Sequence, residues 1–92
     1  MEEFQIIYTF TVVRDDIPTL PSLWGNKVRK TIETRLATSP ETYGKPLRNV
    51  LAGYRKLRVG DYRIIFRIEK KQVKIFLIAH RKNAYKLILD RI

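Results

Sequence analysis

The 92-residue sequence predicts an α+β domain. The expected architecture is a small, mostly antiparallel sheet with N-terminal helices packed on one face and a short C-terminal helix. Apolar and polar residues alternate over residues 57–79, which is the period of half-buried strands. Apolar residues recur at helical spacing over residues 24–36 and again over residues 84–92. The length supports one core, so residues 1–92 are predicted to form a single domain.

The N-terminal segment is predicted to hold one strand and one connection. Residues 4–10 are rich in β-branched and aromatic side chains, which favours a first strand that joins the main sheet. Pro18 and Pro21 restrict any helix in residues 11–20 to about one or two turns. That connection is therefore expected to be a short helix or irregular.

A longer helix is predicted from Ser22, which can cap it, to Ala37. Its apolar side chains share one face: Trp24, Val28, Ile32 and Leu36. This placement favours core packing of the tryptophan over stacking on a nucleic-acid base. The helix should stop by Ser39, because the proline that follows disfavours helical geometry in the preceding residue. Residues 38–46 are predicted to be a loop.

Three strands are predicted to follow, joined by two reversals. Gly60 and Asp61 interrupt the alternating pattern, and a glycine in the first position of a two-residue loop suits a type II′ turn. A second reversal near residues 70–71 leads into a strand over residues 73–79. Residues 82–92 have apolar positions at helical spacing, which predicts an amphipathic C-terminal helix.

The two turns fix a register and assign side chains to the two faces of the sheet. Val59 is expected to pair with Tyr62, and Glu69 with Gln72. The pairs that follow are Lys56 with Ile65, Arg58 with Arg63, Tyr54 with Arg67, Arg67 with Lys74, and Ile65 with Phe76. One face, here the apolar face, should seat the long helix and holds Leu57, Val59, Tyr62, Ile64, Phe66, Ile68, Val73, Ile75, Leu77 and Ala79. The other, the basic face, holds Tyr54, Lys56, Arg58, Arg63, Arg67, Lys74 and His80 over an apolar floor of Ile65, Phe76 and Ile78.

Composition narrows the classes of function. Nineteen Lys and Arg against nine Asp and Glu give a net charge of +10, which favours a polyanionic partner such as RNA, DNA or an acidic protein. The chain has no cysteine and one histidine, His80, so no metal or other cofactor is expected. No apolar run approaches the roughly 20 residues of a membrane span, and the acidic start lacks the order of a secretion signal. A cytoplasmic protein without membrane contact is predicted.

The basic face carries more positive charge than its neighbours can neutralise. Between Tyr54 and Lys82 there are ten Lys or Arg residues, against Asp61 and Glu69. Directly opposed like charges cost a few tenths of a kcal/mol up to about 1 kcal/mol. We therefore expect the missing anion to come from outside. The alternative is that long cationic stems only cover the sheet and keep their charged ends in water.

Two stretches carry a resemblance to a known family. GKPLRNVLAGYRKLRVGDYRIIFRI and IAHRKNAY closely resemble the RelE toxins of bacterial and archaeal toxin–antitoxin pairs, within the broader RelE/ParE group. The shared features are "PL" before the sheet, the "LRVGDYR" hairpin, and "HR" followed shortly by Tyr. The resemblance covers roughly residues 44–85. It implies a RelE-like fold and a ribosome-dependent endoribonuclease that cuts mRNA in the A site and is silenced by an acidic, RelB-like antitoxin.

The resemblance also implies which residues act. The active groups of the family are basic side chains on the sheet, an Arg at the end of the last strand, and a Tyr in the C-terminal segment. They correspond here to Lys56, Arg58, Arg63, Arg81 and Tyr85. Some members carry a further Lys where this chain has Tyr54.

The 2′-hydroxyl of RNA is itself a nucleophile, so an enzyme must align it, move protons and neutralise the charge that grows on the phosphate. Arg63 and Arg81 are predicted to hold the scissile phosphate, since a guanidinium can bind two oxygens at once. Lys56 is a candidate proton carrier or a plain phosphate contact. Tyr85 is a candidate for base stacking, for acid–base work, or for packing on the sheet.

Four further residues are predicted to contact RNA: Arg58, Arg67, Lys74 and His80. Histidine is also the natural general acid near neutral pH, so a catalytic role for His80 stays open.

Two other functions stay open. A ParE-like protein would inhibit DNA gyrase without cutting RNA, and a binding module would keep the fold without activity. In the toxin hypothesis, the antitoxin needs acidic residues for the basic face and an apolar segment for a groove bordered by the C-terminal helix.

Overall fold

A five-stranded sheet organises the computed structural model, which describes residues 3–92. Its strands are β1 (Gln5–Tyr8), β2 (Lys45–Pro46), β3 (Arg55–Val59), β4 (Tyr62–Glu69) and β5 (Gln72–His80). They lie in the order β1-β5-β4-β3-β2. β1 runs parallel to β5, and the other neighbours are antiparallel. The predicted α+β class and mostly antiparallel sheet are confirmed.

Three α-helices accompany the sheet: α1 (Ser22–Thr31), α2 (Pro40–Tyr43) and α3 (Ala84–Arg91). A π-helical turn, Ile32–Leu36, continues α1, so the long helix ends within a residue of its predicted end. Ser22 is the first helical residue rather than the cap, and the cap position is taken by Pro21 without a side-chain hydrogen bond. The prediction of a loop over residues 38–46 was wrong in part, since both α2 and β2 begin within it.

The connection after β1 is helical but irregular. Val12–Asp16 forms a π-helical segment and Ile17–Thr19 a 3₁₀ turn, in agreement with the predicted short helix. Pro18 lies inside that 3₁₀ turn, and the backbone becomes extended at Leu20. No helix within residues 3–92 is long and apolar enough to cross a membrane.

The apolar face packs under α1, as predicted. Val28, Ile32 and Leu36 are buried in one cluster with sheet residues that include Leu57, Ile64, Phe66, Val73 and Ile75. Trp24 packs against this cluster, with its ring centroid 5.2 Å from that of Tyr62. The tryptophan is a packing residue here.

Gly60 satisfies two demands at the tip of the first hairpin. Its φ is +59°, which an L side chain rarely adopts, and which the first position of the predicted turn requires. A Cβ at this position would also lie 2.3 Å from Cη2 of Trp24. The glycine therefore allows both the turn and the contact with α1.

The strand register is confirmed at both turns and changes in between. Val59 pairs with Tyr62 and Glu69 with Gln72, and Arg58 lies opposite Arg63. Between Ile65 and Phe66 the pairing of β4 with β5 shifts by one residue, so Phe66 pairs with Ile75 and Ile65 with Leu77. Phe76 is the extra residue of a β-bulge, and the predicted Ile65–Phe76 pair was wrong.

The bulge exchanges the faces of the residues that follow it. Leu77 and Ala79 were predicted on the apolar face, but they lie on the basic face with Ile65. Ile78 and His80 were predicted on the basic face, but they lie on the apolar face: Ile78 joins the cluster under α1, and His80 pairs with Tyr62. Because side chains alternate between the two faces of a strand, one extra residue puts every later side chain on the face opposite to the one that strict alternation predicts.

A second core forms on the basic face beneath α3. Ala84 and Ile88 of α3 are fully buried and cluster with Ile65, Leu77 and Ala79. The bulge supplies two of these sheet residues. The predicted C-terminal helix is confirmed, and it covers part of the face that also carries the cations.

Two side chains replace a strand along the free edge of β5. β1 pairs with β5 only over Gln72–Ile75, so the backbone beyond needs other partners. Asp16 Oδ2 accepts a hydrogen bond from the Ile78 N–H at 2.9 Å, and Arg91 Nη1 donates to the Phe76 carbonyl at 2.8 Å. The two side chains are also ion-paired, with Arg91 Nη2 2.6 Å from Asp16 Oδ1. Residues 75 positions apart are thus joined at the bulge.

Candidate active site on the basic face

Arg63 occupies the centre of a group of cations at the first hairpin. The residue is only 9% exposed, and its Nη1 donates to the carbonyls of Gly60 at 3.0 Å and Tyr62 at 3.1 Å. Burial lowers the pKa of Arg63, and the positive charges of Arg58 and Arg81 lower it further. A guanidinium is protonated far above neutral pH, so Arg63 keeps its charge despite the lowered pKa. Its orientation is fixed before any ligand arrives.

Arg81 lies beside the same hairpin although it follows β5. Its backbone N–H donates to the Asp61 carbonyl at 2.7 Å, and its Nε lies 3.7 Å from Asp61 Oδ1. The side chain is 58% exposed, so this ion pair contributes little to stability. Arg81 is therefore anchored through its backbone and presents an exposed guanidinium. We call Arg58, Arg63 and Arg81 the hairpin cluster.

Lys56 and Tyr85 meet next to the hairpin cluster. Lys56 Nζ donates to the Tyr85 hydroxyl at 3.0 Å and lies 5.6 Å from the centre of its ring. Lys56 comes from β3 and Tyr85 from the first turn of α3, so the contact depends on how α3 is placed on the sheet. Within residues 3–92, neither Lys56 nor Arg58 is ion-paired with a carboxylate. Of the four predicted catalytic residues, the structure joins these two directly.

Arg67 and Lys74 form a different environment at the far end of the same strands. Both contact Glu69: Lys74 Nζ lies 2.9 Å from Oε1, and Arg67 Nε donates to Oε2 at 2.8 Å. The Arg67 guanidinium also lies over the rings of Tyr54, at 5.3 Å, and Phe76, at 5.7 Å. The Lys74 ammonium, and then Arg67, hold the pKa of Glu69 below its usual value. We call Arg67, Glu69 and Lys74 the distal cluster; its predicted contact with RNA stays a prediction.

His80 lies across the sheet from the hairpin cluster. Its ring packs edge-on against Tyr62, with centroids 5.8 Å apart, and its Nδ1 accepts a hydrogen bond from the Lys82 N–H at 3.2 Å. The prediction that His80 shares the basic face was wrong because of the bulge. A neutral imidazole that accepts at Nδ1 carries its proton on Nε2. Its role in RNA contact or proton transfer stays a prediction.

Residues 3–92 contain no group of three or more His, Cys, Asp or Glu side chains placed to hold a metal ion. The polar groups that converge at the hairpin are cations, a phenol and the Asp61 carboxylate, and cations and phenols are groups that bind phosphate or move protons.

Sequence reasoning missed the pair of Asp16 and Arg91. Asp16 is 5% exposed, whereas its neighbour Asp15 is exposed and pairs with Arg14. A weak signal was present, since Asp16 follows Val12 at helical spacing. Nothing in the sequence links it to Arg91, because the contact is made only by the folded chain.

Comparison with known proteins identifies the family of the chain. A family model described as the ParE toxin of type II toxin–antitoxin systems matches residues 1–85. The chain is 33% identical to Toxin RelE of Mycobacterium tuberculosis over 86 residues, which span 91% of this chain and 88% of that toxin.

Solved structures give the same result. The crystal structure of the toxin–antitoxin complex RelBE2 from Mycobacterium tuberculosis superimposes with a TM-score of 0.82 at 34% identity, over 88% of this chain and 94% of that one. The RelB–RelE complex from Methanococcus jannaschii has the same fold, with a TM-score of 0.67 at 20% identity over 88% and 96% of the two chains. The chain belongs to the RelE/ParE superfamily of type II toxin–antitoxin toxins, as its resemblance predicted.

Proposed function

We propose that this toxin is a ribosome-dependent endoribonuclease that cuts mRNA in the A site and thereby stops translation in the cytoplasm. The observation that supports this most is the contact of Lys56 with Tyr85 beside the hairpin cluster. It puts a proton-transfer group and a phosphate-binding group on one open surface. The relatives named RelE have similar sequences over nearly the whole chain.

The hairpin cluster supplies the electrostatic part of the reaction. The RNA 2′-oxygen attacks the adjacent phosphorus, the 5′-oxygen leaves, and negative charge grows on the phosphate oxygens in between. Arg63 is preorganised by its two backbone carbonyls and still has N–H donors on Nε and Nη2. Arg81 is free to close on the phosphate from the exposed side. Arg63 is thus a fixed donor that stabilises the developing charge without reorganising during the reaction.

Lys56 and Tyr85 supply the proton that the 5′-oxygen gains as its bond to phosphorus breaks. Tyr85 gives its hydroxyl hydrogen to that oxygen and takes a proton from the Lys56 ammonium, while the proton of the 2′-hydroxyl passes to solvent water. Lys56 already donates to the Tyr85 oxygen, so the hydroxyl hydrogen of Tyr85 is available for a substrate oxygen. The pair is 3.0 Å apart and can therefore pass a proton between its members. Tyr85 is 43% exposed, which leaves the ring accessible to an RNA base as well.

We propose that an acidic, RelB-like antitoxin silences the toxin. The net charge of +10 and the two solved toxin–antitoxin complexes of similar fold support this partner. The hairpin cluster offers three cations to its carboxylates. Neutralisation there would block the phosphate site directly.

The ParE-like alternative has one observation in its favour, since the matching family model is described as a ParE toxin. The test is a pair of assays with the purified toxin. Cleavage of ribosome-bound mRNA that persists in a metal chelator supports the nuclease. Intact mRNA together with blocked DNA supercoiling by gyrase would replace it with the ParE-like function. Intact mRNA with normal supercoiling would refute both activities, and the remaining alternative would be a binding module without catalytic activity.

A matched pair of variants ties the activity to the site. Arg81→Ala should abolish most cleavage, whereas Lys30→Ala, which removes the same charge from the exposed side of α1, should leave it unchanged. Equal losses in both variants would mean that overall charge matters and that the phosphate site is misassigned.

A further inference from the structure

We infer that the ion pair of Asp16 and Arg91 is a positioning device for Tyr85, and that it sets the rate of RNA cleavage through the placement of α3. The inference rests on the proposed nuclease function. It assigns a role to two residues that do not touch the substrate.

The placement of α3 depends on contacts outside the helix. α3 has eight residues, and isolated helices shorter than about 12 residues are marginal in water. Asn83, at its N-cap, makes no side-chain capping bond. Apolar packing holds the helix through Ala84 and Ile88, which are fully buried. These contacts fix one side of the helix but leave its C-terminal end to be held by something else.

Arg91 holds that end with three hydrogen bonds. Its Nη1 donates to Asp16 Oδ2 and to the Phe76 carbonyl, each at 2.8 Å, and its Nη2 donates to Asp16 Oδ1 at 2.6 Å. Hydrogen bonding to Asp16 raises the pKa of Arg91, so the cation is stabilised in place. Asp16 is in turn fixed by the Ile78 N–H. The C-terminal end of α3 is therefore anchored to the bulge of β5 and to the segment after β1.

The other end of the same helix carries Tyr85. Arg91 follows Tyr85 by six positions, which is about 9 Å along the helix axis. Tyr85 is half-exposed and has little packing of its own, so its position follows that of the helix. The hydrogen bond of 3.0 Å between Lys56 and the Tyr85 hydroxyl is lost if a tilt of the helix moves that hydroxyl by about 1 Å. A misplacement of that size lowers the rate of a catalysed reaction by up to about 100-fold.

The pair also satisfies two backbone groups at the bulge, so a purely structural role must be separated from positioning. A double-mutant cycle makes that separation. Arg91→Lys keeps the charge but cannot bridge Asp16 and Phe76 with one planar fork. We expect it to lower kcat for mRNA cleavage about 10-fold with little change in KM. In a Tyr85→Phe background, the same change should lower kcat less than about 2-fold, because the hydroxyl that it positions is gone.

The outcomes are distinct. Equal fold losses in both backgrounds would show a structural role only and overturn the positioning role. If Tyr85→Phe alone leaves kcat unchanged, the assignment of Tyr85 in the proposed function fails, and the positioning role fails with it. If the wild-type toxin cuts no mRNA, the nuclease function itself is refuted. That result is distinct from every outcome of the double-mutant cycle, which requires an active wild type.

A readout without activity accompanies the cycle. In the Arg91→Lys variant of the folded full chain, backbone amide hydrogens of α3 should exchange faster relative to those of β4 than they do in the wild type. Asp16→Asn, which keeps the shape, should do the same if Arg91→Lys folds poorly. Asp15→Asn is the matched control, because it removes the same charge from an exposed pair with Arg14, and it should change neither exchange nor kcat. Unchanged exchange in α3 for both test variants would contradict the inference.

Discussion

The hairpin cluster and the distal cluster each place two cations opposite one another on neighbouring strands, yet only in the distal cluster does a carboxylate contact the opposed cations. Arg58 faces Arg63 across β3 and β4, just as Arg67 faces Lys74 across β4 and β5. The difference is a single carboxylate. Glu69 contacts both distal cations. At the hairpin, by contrast, Asp61 makes one longer contact, in which its Oδ1 lies 3.7 Å from Nε of the exposed Arg81. Opposed cations are therefore candidates for a ligand site where they lack the carboxylate contacts that the distal cluster has.

The largest expected difference is between removing Arg63 from the hairpin cluster and removing Arg67 from the distal cluster. Arg63→Ala should lower mRNA cleavage by about 10²- to 10³-fold, which is the loss seen when one preorganised transition-state donor is removed. Arg67→Ala should cost less than about 10-fold, mainly in KM, because its charge is already shared with Glu69. Single-turnover cleavage on programmed ribosomes measures both. A larger loss for Arg67→Ala would reverse the assignment of the two clusters.

The next effect separates two tyrosines that lie under cations. Tyr85 accepts a hydrogen bond through its hydroxyl, whereas Tyr54 contacts Arg67 through its ring. Tyr85→Phe should therefore lower kcat by about 10-fold or more, since it removes the hydroxyl that we propose for proton transfer. Tyr54→Phe keeps the ring and should leave kcat within about 2-fold. Matching losses in the two variants would mean that the rings, and not the Tyr85 hydroxyl, carry the function.

The smallest effect concerns pH and the distal cluster. The pKa of Glu69 is lower in the folded protein than in the unfolded chain, where it is about 4.3. Its ion pairs therefore stabilise the fold above about pH 4.3, and that contribution is lost as the pH falls through the folded-state value. Glu69→Gln should be less stable than the wild type at pH 7, and the difference should shrink below about pH 4.

Urea unfolding over that pH range measures this difference, with Glu41→Gln as a control that should follow the wild type. A gap that stays constant with pH would mean that Glu69 stabilises the fold through packing rather than charge.

The turns and their register were predictable because their chemistry is local. Gly60 at a position that needs positive φ fixed the first hairpin, and the pairs of β3 with β4 followed from it. The helix α1 was predictable from its spacing of four. The cation positions of the hairpin cluster followed from the same register, which is why Arg58 and Arg63 were placed correctly.

The bulge was not predictable from alternation. Residues 75–79 are all apolar, so the sequence gives no sign of which face each one occupies. The structure buries both faces here, under α1 and α3, and an unbroken apolar run is compatible with either phase. The error then passed to His80. Contacts between distant segments, such as Asp16 with Arg91 and Lys56 with Tyr85, depend on the packing of α3 and lie outside any local pattern.

The extra residue at Phe76 also determines which changes of length the chain can accept. Deletion of Phe76 would remove the bulge and restore strict alternation, and Leu77 would keep its place opposite Ile65. It would also remove the carbonyl that Arg91 binds. A deletion nearer the end of β5 would instead move Arg81 by one position along the strand and turn it to the other face, although no residue of the hairpin cluster had changed. In this fold, the spacing of the last strand encodes the geometry of the site as much as the side chains do.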